Sequence, residues 1–232
     1  MKPSLRKAGQ NIRDLAMKRR LKAVMSFVSA VFLLVLPFIL HHIFGTLLDQ
    51  LSFSSAQASR RFEVPPLFYL MFVMASLGAI ANGFYWWQRA SHADQGARGE
   101  EDVAIALAGL TASGWQIEYN VRLGKGLGDA DVVCRSPRQN AYAIDVKSHR
   151  GRVVTDGQQL YHMMGQPKYS FEKDFLKQVK RQALVLKQQR NWRFVTPILA
   201  FSQANVAASI RQVQGVYVVE KARLSALLKQ LG

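Results

Sequence analysis

No formal charge falls between Lys22 and Asp49, where an apolar run from Val24 to Leu40 continues past His41 and His42 to Leu48. A second uncharged run lies between Glu63 and Arg89, from Pro66 to Trp87. A helix crosses the hydrocarbon core of a bilayer with about 20 apolar residues. Among single segments, only a helix satisfies its own backbone there. The pattern therefore predicts a basic N-terminal segment over 1–22, transmembrane helices over 23–48 and 65–88, and an external loop over 49–64. Pro37 falls inside the first helix, which membrane helices tolerate. Tyr85, Trp86 and Trp87 fit an interfacial aromatic belt, and His41 and His42 read as interface residues. Ala75, Ala79 and Gly83 form a stripe of small residues, either for packing against the first helix or for a homodimer contact.

Beyond a polar linker at 89–98, the long runs give way to short alternating segments. Gly99 to Leu110 reads as a helix, with acids in its first turn and an apolar stripe of Val103, Leu107 and Leu110. Trp115 to Val121 alternates as a strand, and Gly124, Gly126 and Gly128 mark a turn. Two apolar runs follow, Gly128-Asp-Ala-Asp-Val-Val133 and Ala143-Ile-Asp-Val-Lys147, separated by the turn formers Arg135 to Asn140. Folding about Arg138 sets Asp131 opposite Asp145 on antiparallel strands. Lys147, two residues on, shares the face of Asp145. Gly151 to Val154 and Gln159 to Tyr161 read as further short strands, and Phe171 to Gln189 as a long basic helix. Arg193 to Phe201 reads as a buried strand, although Pro197 argues against a central position. A strand at Gly215 to Val219 and a helix at Lys221 to Leu231 close the chain. Residues 99–232 are thus expected to form an α/β sandwich around a mixed sheet.

Charge narrows the partners. The formal net charge is +16 and the pI is near 10.3, which points to a polyanion: nucleic acid, anionic lipid or both. Lys/Arg residues crowd the N-terminus, whereas the connecting loop holds only Arg60 and Arg61 against Asp49 and Glu63. This bias places both termini on the cytoplasmic side of a bacterial-type inner membrane, with the basic N-terminus on anionic lipid. Ala56-Gln-Ala58 resembles a signal cleavage box but lies too far beyond an overlong apolar run. Cys134 is the single cysteine, which excludes an internal disulfide framework and a cysteine-rich zinc site. Its neighbours suggest a packed strand residue.

Strand interiors rarely hold charge unless it is paired or binds a metal. Asp131, Asp145 and Lys147 therefore read as a metal-dependent nuclease centre, or else as a buried Asp–Lys pair that knits two strands. Mg²⁺ suits the first reading, because it takes a few carboxylates plus waters and substrate phosphate. Two acids that repel each other are relieved by a divalent ion.

With Gly99-Glu100 at a helix start, Gly128-Asp-Ala-Asp131, Ile144-Asp-Val-Lys147, Gly151 and Gln178 in the following helix, the chain resembles the nuclease-related (NERD) domain over about residues 96–219. That family lies within the PD-(D/E)xK restriction-endonuclease-like superfamily. The resemblance implies a restriction-endonuclease-like mixed sheet flanked by helices. It also implies DNA phosphodiester hydrolysis with Mg²⁺, for which Mn²⁺ can substitute. By position, Asp131 becomes the central metal ligand and Asp145 the second, with the Val146 carbonyl nearby. Lys147 orients or activates water, Glu100 supplies a further acid, and Gln178 a contact near metal or phosphate. Glu101 competes with Glu100, which is preferred because it directly follows Gly99. The family usually has Glu where this chain has Asp145, and often His where it has Val132.

Lys173, Lys177, Lys180 and Arg181 are the candidate DNA-backbone contacts, or a solvated basic face. His149 and His162 read as surface or loop residues with a catalytic assist as the alternative, and Tyr161 and Tyr169 as packing residues with base stacking as the alternative. The expected protein is a membrane-anchored, metal-dependent deoxyribonuclease facing the cytoplasm, endonuclease preferred over exonuclease. The alternative is a catalytically inactive module of the same fold that tethers DNA.

Overall fold

The computed structural model describes residues 8–51, 65–124, 128–207 and 211–232. Lys2, Arg6, Lys7, most of the expected external loop with Ala56–Ala58, and Gly126 lie outside the described residues. The chain divides into two compact units, residues 14–92 and residues 1–13 with 93–232.

Two long helices supply the first unit: α1 (Gln10–Leu51) and α2 (Pro66–Thr111). Their most apolar windows have mean hydropathies of 2.6 and 1.7, and both are long and apolar enough to cross a membrane. They pair as an antiparallel hairpin. Ser76 Oγ donates to the Ala30 carbonyl at 3.0 Å, Asn82 Nδ2 to Ser26 Oγ at 2.8 Å, and Arg19 to the Arg89 carbonyl at 2.9 Å. Gly83 permits this approach, since a Cβ there would stand 2.6 Å from Phe27 Cε1. Gly83 is thus used within the chain, whereas Ala75 is exposed. The expected aromatic belt gathers cations at the same end. Lys22 Nζ lies 4.5 Å from the Trp86 ring centroid, and the Arg89 guanidinium 5.2 Å from that of Tyr85.

The second unit is the expected mixed α/β fold. Its eight described strands are β1 (Gln116–Arg122), β2 (Asp129–Arg135), β3 (Ala141–Thr155), β4 (Leu160–Met163), β5 (Lys168–Ser170), β6 (Val195–Val206), β7 (Gln212–Val213) and β8 (Val216–Glu220). Two helices, α3 (Phe175–Arg190) and α4 (Lys221–Leu231), accompany the end of α2. The sheet order is β1-β2-β3-β6-β8-β7, with β4 and β5 branching from β3. β3, β6 and β8 pair in parallel and the other pairs are antiparallel.

Strand alternation assigns the two faces. Val132, Cys134, Tyr142, Ile144, Ile198 and Ala200 pack with Val103, Leu107 and Leu110 of α2 and Leu224 and Leu228 of α4. Val133, Ala143, Leu199 and Phe201 turn the other way, into the clusters that receive Phe175, Val179, Ala183 and Leu186 of α3. β3 is covered on both sides, so Ala141 through Asp145 are all buried.

Four local expectations change. Residues 89–98, read as a polar linker, are helical within α2. Gly151 to Val154 is not a separate strand but the continuation of β3, whose register against β6 shifts between Lys147 and Arg150. Gly151, at φ +89°, allows this course, because a Cβ there would collide with the Met163 carbonyl of β4. α3 begins at Phe175 instead of Phe171, since the Asp174 side chain accepts from the Lys177 amide at 2.9 Å and caps it. β6 is central despite Pro197. Its ladder with β8 starts only at Ile198↔Tyr217, one residue past the proline, and so loses no donor to it.

Candidate active site

The β2–β3 hairpin turns as its sequence implies. Val132 pairs with Ile144 and Val133 with Ala143, a register that brings Asp131 opposite Asp145. Both acids and Lys147 fall on the α3 side of the sheet. Lys147 Nζ lies 2.7 Å from Asp145 Oδ2. Gln178, on the inner side of α3, donates to Asp145 Oδ1 at 3.2 Å. Asp131 Oδ2 accepts the Val146 amide at 2.7 Å, which ties the first acid to the strand of the second. Asp145 is 1% exposed.

Glu100 arrives from α2. Gly99 lets the helix pass close to the sheet, because a Cβ there would meet Ser202 Oγ at 2.7 Å and Ser148 Cβ at 3.0 Å. The two neighbouring acids differ in burial and partners. Glu100 is 3% exposed, whereas Glu101 pairs with Arg13. Glu100 Oε2 accepts the Gly9 amide at 2.9 Å, just ahead of the first turn of α1. Gly9 has φ +72° and leaves no room for a side chain against the Ala97 carbonyl, 2.7 Å from where its Cβ would stand. Asn11 Nδ2 donates to Asp129 Oδ2 at 2.8 Å. A short N-terminal segment is therefore seated on the acid side of the site.

Three carboxyls titrate high. Burial pushes Glu100 up to about 7, and the charge of Asp145 pushes the same way against the Gly9 amide. Asp131 is raised well above the usual carboxylate range by burial, then by Asp145 and Glu100. Burial also raises Asp145, with Lys147 opposing it. A buried, mutually repelling set of hard oxygen donors is the chemistry that a hard divalent cation relieves. Among the described residues, no three His, Cys, Asp or Glu side chains are gathered as a ready metal cage. Mg²⁺ needs only one or two carboxylates beside its waters, and Asp131 and Asp145 supply two. The donor set thus fits that ion, while Glu100 is engaged with Gly9.

Of the candidate DNA contacts, Lys177 and Arg181 lie on the exposed face of α3. Lys180 donates to Gln214 Oε1 at 2.8 Å, and Lys173 precedes the helix in an exposed turn. Tyr161 bonds Asp156 through its hydroxyl at 2.8 Å. Cys134 is buried and its thiol is pushed up to about 12, as a packed residue requires. His149 and His162 sit on β3 and β4 among aromatic rings, not in loops.

Sequence reasoning missed three participants. Gln182, one turn beyond Gln178, is buried on the same side and donates to the Asp129 carbonyl at 3.4 Å. Its i, i+4 spacing from Gln178 was a usable signal. Asp129 raises Glu100 through its charge, and its two-residue spacing from Asp131 marked it as sharing that strand face. Gly9 carried no local signal at all, since its role depends on a contact 91 residues away.

The α/β domain thus joins an acid–acid–lysine hairpin, a further acid on a flanking helix and a basic helix on the covering layer. The family model described as Nuclease-related domain (NERD) matches residues 95–202, a stretch that contains Glu100, Asp131, Asp145, Lys147 and Gln178. The chain therefore carries a nuclease-related domain. Searches of curated proteins and of solved structures found no match.

Proposed function

We propose that the chain is a membrane-anchored, divalent-metal-dependent nuclease that hydrolyses DNA phosphodiester bonds at the cytoplasmic face. The observation that carries this reading is the placement of Asp131, Asp145 and Lys147 on one sheet face, with Gln178 against Asp145. Asp131 and Asp145 would hold Mg²⁺ or Mn²⁺, with Glu100 as a further ligand once released from Gly9. When bound, the ion supplies a water of lowered pKa and charge to offset the phosphate. Lys147 holds Asp145 through Oδ2 and brings a cation to the phosphate side of the acids. Gln178 and the Val146 amide each fix one carboxylate oxygen, so the two acids keep their remaining oxygens in a set orientation. Lys177 and Arg181 offer backbone contacts to DNA, and the basic N-terminus offers contacts to anionic lipid. The hairpin holds both termini in the cytoplasm.

The test is DNA cleavage by the full chain in detergent or nanodiscs, with Mg²⁺ or Mn²⁺, against Asp131→Ala and Asp145→Ala. Cleavage that needs the ion and is lost in both variants supports the assignment. Cleavage unchanged in Asp131→Ala overturns it. One observation favours a second reading, an inactive module that tethers DNA. Glu100 and Asp145 already have partners in Gly9 and Lys147, and Asp145 is a methylene shorter than the Glu usual in such domains. That reading predicts salt-sensitive DNA binding without cleavage at any divalent-ion concentration.

A further inference from the structure

A row of aromatic rings leads away from Lys147. Its Nζ lies 4.8 Å from the Phe175 ring centroid. Phe175 is 5.0 Å from Phe171, Phe171 is 5.2 Å from His162, and His162 is stacked on Tyr169 at 5.4 Å with 30° between planes. His149 joins from β3, 5.0 Å from Phe171 and 5.4 Å from Phe175. The row passes from buried Phe175, through half-buried Phe171 and His162, to Tyr169, which is 50% exposed. His162 and Tyr169 are direct partners across the β4–β5 hairpin, and β5 pairs with β4 alone. No described strand therefore covers Tyr169 from the far side. The exposed Lys173 follows Phe171 by two residues, while Lys168, next to Tyr169 on β5, turns to the other face of the strand.

We propose that this row is a stacking surface for unpaired bases of a DNA substrate, with Tyr169 as its outer ring. The proposal rests on the nuclease reading given above and adds the form of DNA that the site takes. Duplex bases hide their faces in the stack, so a protruding ring gains from DNA only where bases are free. The row starts at Lys147, which pairs with Asp145, and ends at a half-exposed ring, with the exposed Lys173 two residues beyond Phe171. That is the combination of stacking platform and cationic track that holds a single strand.

The experiment is fluorescence anisotropy on the full chain in nanodiscs of neutral lipid, with Ca²⁺ in place of Mg²⁺. The probes are a labelled single strand and a duplex of the same sequence. Tyr169→Ala should weaken single-strand binding about tenfold and change duplex binding less than about twofold. Tyr169→Phe should bind the single strand as the wild type does. Unchanged single-strand binding by Tyr169→Ala overturns the proposal, as does an equal loss on both probes or a Tyr169→Phe variant as weak as Tyr169→Ala. The two readings fail differently. A wild type that binds neither probe overturns the nuclease reading as well. A wild type that binds and cleaves DNA while Tyr169→Ala matches it overturns only the stacking surface.

Discussion

In residues 14–92, Phe38 and Leu67 are each 66% exposed, while Ser76 is 1% exposed and Ala23, Ala30 and Gly83 are covered. In the nuclease-related unit the order reverses. Leu107, Ile144 and Ile198 are fully covered, and exposed positions of α3 carry Lys177, Arg181 and Lys187. The contrast follows the solvent each pattern suits. Apolar side chains outside and small or hydroxyl residues between helices suit a bilayer, where close packing and hydrogen bonds hold helices together. Apolar side chains inside and charge outside suit water. The exceptions teach most. The nuclease-related unit breaks its own rule by burying Glu100 and Asp145, and these are the positions where chemistry is expected.

The largest effect should come from the two acids of the β2–β3 hairpin. Asp131→Ala or Asp145→Ala is expected to lower metal-dependent DNA cleavage on the order of 10³-fold while the chain still reaches the membrane, as measured by cleavage rate and fractionation together. The reciprocal change probes the other unit. Phe32 and Leu77 are 57% and 54% exposed, and a lysine at the centre of a membrane helix costs about 3 kcal/mol. The double variant Phe32→Lys with Leu77→Lys should leave the membrane fraction. A variant that stays there would show that these faces do not meet lipid.

Glu100 links burial to pH. Its folded pKa of about 7 lies above its ordinary value of 4.5, so the folded state holds the proton more tightly than the unfolded chain does. The associated stability is fully present below about pH 4.5 and is lost as pH rises through about 7, a loss on the order of 3 kcal/mol. Thermal melts across pH should show this decline in the wild type, a smaller decline in Glu100→Gln, and recovery with Mg²⁺ or Mn²⁺ at pH 8. A flat profile would remove Glu100 from the buried set.

Gly83→Val should strain the hairpin against Phe27 by about 1–3 kcal/mol, read as weaker resistance of the hairpin to denaturation. Asn11→Ala should have the smallest effect, about 1 kcal/mol from its bond to Asp129. A domain cut before residue 93 loses that bond and the Gly9–Glu100 bond together. Comparing it with the full chain separates the contribution of the N-terminal segment from that of the sheet.

The sequence by itself determined the two apolar helices, the β2–β3 hairpin and the acid–acid–lysine set. Each of these is written in local periodicity. Uncharged runs of helical length define the first, and a period of two around Arg138 defines the others, so a short window contains all the information needed. It also determined that Gly99 precedes the inward acid, though not why. Only the tertiary structure decided the rest. Glu100 turns inward and Glu101 outward, to Arg13, with the close pass of α2 over Ser148 and Ser202. Pro197 is tolerated in a central strand because of where the β8 ladder begins. Residues 147–155 continue β3 because β4 accepts the bend at Gly151. The Gly9 amide reaches Glu100, and Gln182 enters the site beside Gln178, through long-range contacts. In each case the deciding partner lies far away in sequence, and its position is set by packing, which no local pattern encodes.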